Sequence, residues 1–437
     1  MRVLLTTLAA NTHLYLMVPL AHALRAAGHE VVVASGPELV PDITGAGLPA
    51  AAVGKQLDMV EDARQAEYGD TVHGSEYDIT EIRPERLTWD YARNVLRVWC
   101  QGPVAAYDYL ANDPMVDDLL RFSRWWKPDV IVWDATTYAG PIVAQIIGVP
   151  QVRFLFGLDQ TARIHRIFTE GLPQQPAAVR EDPLADPLVE MLTRKLARHN
   201  TPFARELMFG EFSIDPTPEW MRFPVEHDYR SISPVLYNGP SVIPQWLTEP
   251  VERRRICITL GLSLREIDDH WGEGINVSTV LEAVDGLDIE VVATIPGDVL
   301  EGVAVPENVR AVDFVPMDAL LPSCSAIVHH GGGGTRLNAL MHGVPQLVIP
   351  GWSWDEAIQA SKYAERGAAV VVPQEELTAQ RLRDGLLRLL DEPSFAAAAA
   401  DLQKIARSAT SPADTVAALE ALVAGHRGQT AGVAPLG

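Results

Sequence analysis

Short apolar runs, each followed by a helical pattern and then by another apolar run, recur in both halves of this chain. That alternation admits few folds. Residues 3–6 read as a buried strand. Met17, Leu20, Leu24 and Ala27 then recur at helical spacing, Gly28 stops the helix, and Val31-Val32-Val33-Ala34 forms the next strand. A strand, a helix and a strand in that length imply parallel pairing with a right-handed crossover. The pattern returns at residues 129–134, with a helix around 141–147 and a strand over 151–156. In the second half, strands are predicted over 255–260, 290–294, 326–329, 346–350 and 368–372. Helices lie between them, and three more fill 378 to about 425. The expected fold class is α/β, with two doubly wound parallel sheets. Ligands of such sheets bind at the carboxyl ends of the strands, so the site is expected in the cleft between two facing domains.

The chain's 437 residues are too many for one ordinary core and fit two domains. Between about 55 and 125 the period is lost. Scattered aromatics (Tyr77, Trp89, Tyr91, Trp99, Tyr107, Tyr109, Trp125 and Trp126) mark a helical insertion in the first domain. Prolines recur at 216, 218, 224, 234, 240, 244 and 250. Such a run suits neither a central strand nor a helix interior, so residues 216–245 are expected to link a domain over 1–215 to one over 246–410. A net charge of −22 argues against nucleic-acid and membrane-surface partners. Cys100, Cys257 and Cys324 form no Cys-x-x-Cys pair, as expected of reduced thiols in a cytoplasmic protein. The apolar run at residues 3–5 is too short for a signal peptide, and no stretch is long enough to span a membrane.

The strongest local signal is Val328-His329-His330-Gly331-Gly332-Gly333-Gly334-Thr335, between an apolar strand and a helical run. Glycines let backbone N–H groups converge, and the following helix presents its positive end, so this order builds an anion site. No Lys follows the glycines, so it is not a P-loop. Of the two histidines one suffices for a phosphate. The other, on the opposite face of the strand, is expected to be structural. The first strand-to-helix turn, residues 6–13, holds no glycine and so lacks the dinucleotide fingerprint. It offers His13, which suits a general base and equally suits a capping or packing role. Asp134, at another strand end, either orients that imidazole or caps the following helix. Asp355 and Glu356 follow the strand at 346–350, where they suit sugar hydroxyls or an amine, or complement a helix dipole. Val315 and Pro316 stand where a strand end could hold a flat base, or form an ordinary turn. His22, His29 and His342 read as structural. No metal-ligand spacing and no Asp-x-Asp pair occurs, so no cofactor and no metal are expected.

Taken together, residues 13–21, Gly28-His29-Glu30-Val31, Asp313-Phe314-Val315-Pro316, Leu320-Leu321-Pro322, His329-His330-Gly331 and Gly343-Val344-Pro345-Gln346 resemble the GT-B antibiotic glycosyltransferases that decorate polyketides. The stretch 74–99 is most similar to the activator-dependent amino-sugar transferases of macrolide and anthracycline pathways. This resemblance implies an inverting transfer of a deoxysugar from a thymidine diphosphate (TDP) sugar to a hydroxyl of a polyketide aglycone. The acceptor would bind the first domain and the donor the second, with a helix over 411–427 packing back on the first. It implies His13 as base and Asp134 as its orienting carboxylate. It also implies a diphosphate site of His330, Gly331, Gly332, Gly333, Gly334, Thr335 and Ser263. Val315 and Pro316 would meet the nucleobase, and Asp355 the sugar. Glu356 departs from the family's glutamine, and its extra carboxylate is expected to favour an amino sugar. Relatives of this kind use a helper with a degenerate P450 fold, whose expected place is the aromatic-rich insertion. A nucleotide-sugar epimerase of the same architecture, separable by product mass, and a non-catalytic nucleotide-binding partner are the competing readings.

Overall fold

Two parallel sheets carry the computed structural model, which describes residues 1–56, 78–101, 107, 110–259, 275–297, 299–351 and 354–432. The first contains β1 (Arg2–Thr6), β2 (Glu30–Ser35), β3 (Ala50–Ala52), β4 (Val130–Asp134), β5 (Gln151–Phe154), β6 (Ser213–Asp215) and β7 (Tyr229–Ser231). Their order is β3-β2-β1-β4-β5-β6-β7. The second contains β8 (Arg255–Thr259), β9 (Glu290–Thr294), β10 (Val309–Ala311), β11 (Cys324–His329), β12 (Gln346–Val348) and β13 (Ala369–Val371), in the order β10-β9-β8-β11-β12-β13. Central strands of such sheets are covered on both faces and so read as unbroken apolar runs. All five residues of β4 are buried. In each sheet the direction of strand progression reverses once, between β1 and β4 and between β8 and β11. The second core joins Ile256, Val291, Val328, Leu347 and Leu386.

The chain separates into Met1–Tyr237 with Thr410–Gly437, and Asn238–Ala409. The first unit therefore runs further than the expected boundary at 215, and the expected linker 216–245 is too long. β7 lies inside that stretch and pairs with β6 from Ser213↔Tyr229 to Asp215↔Ser231. The prolines sit on either side of this edge strand rather than within it, which is why their run concealed it. Beyond β7, the Ser233 amide donates to the Thr410 carbonyl at 2.7 Å, and Tyr237 packs edge-on against Tyr15. The C-terminal helix Pro412–Gly432 seals the first core, burying Val416, Leu419 and Val423 among residues that include Leu20 and Leu24.

The insertion contains the helices Trp89–Cys100 and Asp113–Trp126. Thr88 caps the first, its hydroxyl accepting from the Tyr91 amide at 3.2 Å, and Asn112 caps the second. Trp89, Tyr91, Trp99 and Tyr107 are buried, so these rings pack the insertion onto the unit and are not a surface for a helper. Trp125 points outward at 74 % exposure. Tyr77 and Tyr109 lie outside the described residues. For Phe314 and Val315 the second of the two expected readings, an ordinary turn, is the one found. The strand ends earlier, at Ala311, and these residues form the loop before the helix Met317–Leu320. Among the described residues no helix is long and apolar enough to cross a membrane.

Candidate active site

His13 is the third residue of the first helix, Asn11–Ala26, which starts just beyond the carboxyl end of β1. Asp134 is the last residue of β4, the strand beside β1 at the reversal point. Neighbouring strand ends therefore bring together two residues 121 positions apart. His13 Nδ1 lies 2.7 Å from Asp134 Oδ2, with the His side chain 12 % exposed and the Asp side chain 1 %. A carboxylate only accepts, so Nδ1 carries the proton and Nε2 keeps its lone pair. The other carboxylate oxygen is also engaged. Asp134 Oδ1 accepts from the Thr136 amide at 3.0 Å and from its hydroxyl at 2.6 Å. Phe156 packs on the imidazole with ring centroids 4.2 Å apart. A neutral imidazole so fixed can take a proton at Nε2 and share the resulting charge with a buried carboxylate. A small pocket beside the dyad is lined by residues that include Thr7, Leu8, Glu38, Met115 and Thr137.

In the second unit the glycine run is divided between loop and helix. Gly331 has φ +104°, a conformation that favours glycine, and Gly332 is the N-cap of the helix Gly333–His342. A side chain at Gly332 would put its Cβ 2.6 Å from His330 Nε2. Gly333, Gly334 and Thr335 form the first turn, so their amides belong to the positive end of the helix. The two histidines divide as the strand pleat requires. His329 Nδ1 accepts from the Gly331 amide at 3.0 Å and Nε2 donates to Gln346 Oε1 at 2.9 Å, so this ring holds the loop. Burial pushes its pKa down to about 3, and the charges of His330 and Arg336 act in the same direction. His330 is 7 % exposed, its pKa pushed down to about 4 by burial, and its Nδ1 has no hydrogen-bond partner among the described residues.

Glu356 closes one side of this loop. A Cβ placed on Gly331 would lie 3.2 Å from that of Glu356, and its Oε1 stands 3.9 Å from His330 Nε2. Asp355, buried at 6 % exposure, is the N-cap residue of the helix Glu356–Glu365, and Trp354 before it has φ +42°. His330, Gly331 and Glu356 are thus brought together, with Asp355 beside them in sequence. Val315 sends its side chain into a cluster with Cys257, Val292 and Ile327, so only its backbone is left to meet a ligand. The Pro316 carbonyl accepts from the amides of Ala319 and Leu320, each at 3.1 Å, and starts a helical turn. Ser263 lies outside the described residues. Among those described, no group of three or more His, Cys, Asp or Glu is placed to hold a metal ion.

Sequence reasoning missed several neighbours of these groups. Thr136 was legible, because an Asp followed two residues later by Thr invites an Asx turn. Phe156 was not, since its contact with His13 depends on sheet order. Gln346 belongs to the Gly343–Gln346 stretch that carries the resemblance, but its bond to His329 depends on β11 pairing with β12.

Comparison with known proteins agrees with this geometry. Residues 22–261 match the family model "Erythromycin biosynthesis protein CIII-like, N-terminal domain", and residues 278–422 match its C-terminal counterpart. The aclacinomycin-T 2-deoxy-L-fucose transferase of Streptomyces galilaeus is 44% identical over 98% of this chain and 97% of its own length. The 10-deoxymethynolide desosaminyltransferase of Streptomyces venezuelae is 44% identical over 98% of each. Among solved structures, the glycosyltransferase VinC in complex with dTDP superposes with a TM-score of 0.86 at 44% identity, over 97% of this chain and 99% of its own. The spinosyn forosaminyltransferase SpnP gives 0.80 at 40% identity, over 97% and 99%. With both domain models matched in order and similarity running the length of the chain, the protein belongs to the erythromycin biosynthesis protein CIII-like family of GT-B glycosyltransferases.

Proposed function

We propose that this protein moves a deoxysugar from a TDP-sugar to a hydroxyl of a polyketide aglycone with inversion at the anomeric carbon. The observation that carries the reading is the His13–Asp134 pair at 2.7 Å, at the reversal point of the first sheet. His13 Nε2 removes the acceptor hydroxyl proton as its oxygen forms a bond to the anomeric carbon. The bond from that carbon to the diphosphate oxygen breaks on the opposite face, and TDP leaves. Asp134 holds the tautomer and stabilises the imidazolium. His330, Thr335 and the amides at the start of the helix Gly333–His342 stabilise the charge that grows on the diphosphate. These groups supply a positive field without a metal ion, and we propose that none is required. Turnover unchanged by a chelator is the expected result. Val315 backbone and the adjoining Pro316 are assigned to the nucleobase, with Ser263 near the diphosphate.

The relatives' names supply the substrate class, and Glu356 narrows it to an amino-deoxysugar. A carboxylate beside the loop suits an ammonium better than a neutral hydroxyl. In competition between an amino and a neutral TDP-sugar, Glu356→Gln should shift preference toward the neutral donor, and unchanged preference would reject this part. A P450-like helper on the first unit completes the reading, with exposed Trp125 as one contact. Its test is turnover with and without the helper, for wild type and Trp125→Ala. The reaction is placed in the cytoplasm, in keeping with three free cysteines. The main test is incubation of the protein with a TDP-deoxysugar and an aglycone. A product of glycoside mass together with free TDP supports the transfer, and conversion of the donor alone to an isomer would favour an epimerase.

A further inference from the structure

A base at His13 has to become a cation in an unfavourable place. His13 is the third residue of the helix Asn11–Ala26, in the first turn, where free backbone amides make the helix end positive. No residue of that turn is acidic, and the N-cap residue is Ala10, which has no side chain to cap those amides. The helix therefore opposes a positive charge on the imidazole, and other neighbours have to stabilise it. Asp134, from β4, is the acidic group bonded to the ring, at 2.7 Å. Glu38, from the short helix Pro37–Leu39, lines the small pocket beside the pair. The remaining neighbour is an aromatic ring.

Phe156 lies two residues beyond the end of β5, the strand that pairs with β4. Leu155, between them, is tied to β6 by its amide, which donates to the Ile214 carbonyl at 2.9 Å. The Phe156 ring is set against the imidazole with centroids 4.2 Å apart and planes inclined at 37°. One hydrogen bond at Nδ1 leaves an imidazole free to swing about that bond and carry Nε2 with it. A ring against its face removes this freedom and leaves the Nε2 edge open. The same contact changes character during proton transfer. Beforehand Phe156 meets a neutral ring. Afterwards its negative face meets a cation, which an aromatic ring attracts within about 6 Å of its centroid. An interaction that strengthens as the transition state forms is one that speeds a reaction.

We propose that Phe156 is a positioning residue of the transfer reaction, acting through His13: it aims Nε2 at the acceptor and stabilises the imidazolium with its ring face. The inference rests on the assignment of His13 as base given above. The proton leaves the acceptor hydroxyl for Nε2 as the acceptor oxygen bonds to the anomeric carbon and the diphosphate oxygen departs. Asp134 stays ionised throughout, and the imidazolium later gives its proton to solvent. Asp134 thus stabilises the new charge at the edge of the ring and Phe156 at its face.

The test compares wild type, Phe156→Leu, Phe156→Tyr and proteins carrying increasingly fluorinated phenylalanine at position 156, which keep the shape of the ring while draining its negative face. The His13 imidazole is titrated by NMR in each protein without substrate, and kcat is measured with the TDP-deoxysugar and aglycone from which wild type forms a glycoside. Phe156→Leu should move the His13 midpoint to lower pH by about half a unit, since a less stabilised imidazolium loses its proton more readily. It should lower kcat about 5- to 30-fold, with TDP affinity within about twofold of wild type. Phe156→Tyr should recover most of both. With fluorination, the midpoint and log kcat should fall together. A midpoint or a kcat that stays at the wild-type value throughout the fluorinated series overturns the proposal, because the ring would then be packing only. That series decides the matter even where Phe156→Leu does not fold. Wild-type turnover in His13→Ala, or a wild type that forms no glycoside, removes the assignment of His13 as base and this inference with it.

Discussion

Asp134→Asn changes one atom and should remove most of the activity, for a reason visible in the hydrogen bonds. Asp134 Oδ1 accepts two donors from Thr136, the amide at 3.0 Å and the hydroxyl at 2.6 Å, while Oδ2 faces His13 Nδ1 at 2.7 Å. An asparagine has one oxygen and one NH₂. If the oxygen stays with Thr136, the NH₂ faces His13 Nδ1, which must then accept, so the proton moves to Nε2 and the base is lost. If the amide turns over, the Thr136 N–H meets an NH₂ and stays buried and unpaired, at about 1–3 kcal/mol. The turned amide also lacks the charge that stabilises the imidazolium, a further loss of about 1.5–3 kcal/mol. Together these come to about 2.5–6 kcal/mol, or a fall in kcat of about 10² to 10⁴. That is also the usual scale for a general base. The assay is steady-state turnover of a TDP-sugar and an aglycone, beside calorimetric TDP affinity. Expected is a large loss of kcat with TDP binding nearly unchanged, matched by His13→Ala. Retention of kcat within about tenfold would refute the tautomer argument. Parallel loss of TDP affinity would show that the pair is structural.

Gly334→Ala should stabilise the nucleotide-free protein and weaken the donor together. Gly334 is helical and, among the described residues, nothing lies within 4 Å of where the alanine methyl would stand, so the change gains helix propensity of up to about 1 kcal/mol in denaturant unfolding. The methyl would intrude on the phosphate cradle, and unchanged TDP affinity would count against that placement. His329→Asn should flatten the dependence of stability on acid. The His329 pKa lies near 3 in the fold against 6.5 for a free side chain, so the unfolded chain takes up a proton first as pH falls. Its contribution is complete above pH 6.5 and is lost steadily below it, at about 1.4 kcal/mol per pH unit. Asparagine keeps an acceptor for the Gly331 amide without titrating, and an identical slope between about pH 6 and 4 for both proteins would reject the assignment. Ending the chain at residue 410 removes Val416, Leu419 and Val423 from the first core. At about 1.5–3 kcal/mol for each buried side chain this approaches the whole stability of a domain, so the truncated protein should not accumulate in folded form. Thermal unfolding at the wild-type temperature would contradict it.

The central strands were legible because strands covered on both faces must be continuously apolar, and β1, β2, β4, β8, β9 and β11 are. The short strands β3, β6, β7 and β10 were not, since three residues carry no period and, for β7, stand among prolines. His13 and Asp134 were legible as strand-end residues, but their pairing was open until β4 was placed beside β1. The two histidines of the loop could be separated by the strand pleat alone. What could not be read is burial: Arg336 looks in sequence like any polar residue of a helix, and its 2 % exposure depends on tertiary packing that no local pattern carries.

The reversal points explain why both sets of groups stand where they do. On the two sides of such a point the crossover connections leave in opposite directions, so the carboxyl ends of the two strands are left without a helix lying across them. In the first sheet that place lies between β1 and β4, where His13 and Asp134 stand, with Thr6 Oγ1, Asn11 Oδ1 and Thr137 Oγ1 buried and without hydrogen-bond partners among the described residues. In the second it lies between β8 and β11, where the glycine loop begins and His330 Nδ1 lacks a partner among the described residues. Each such atom costs the ligand-free fold stability that an apolar replacement would restore. That cost is expected to disappear where substrate supplies the missing acceptor or donor. Substitutions to apolar residues at these positions should therefore raise the unfolding temperature of the ligand-free protein and lower its affinity for nucleotide or acceptor. The same substitutions at matched positions such as Arg153, which pairs with Asp159, should only destabilise.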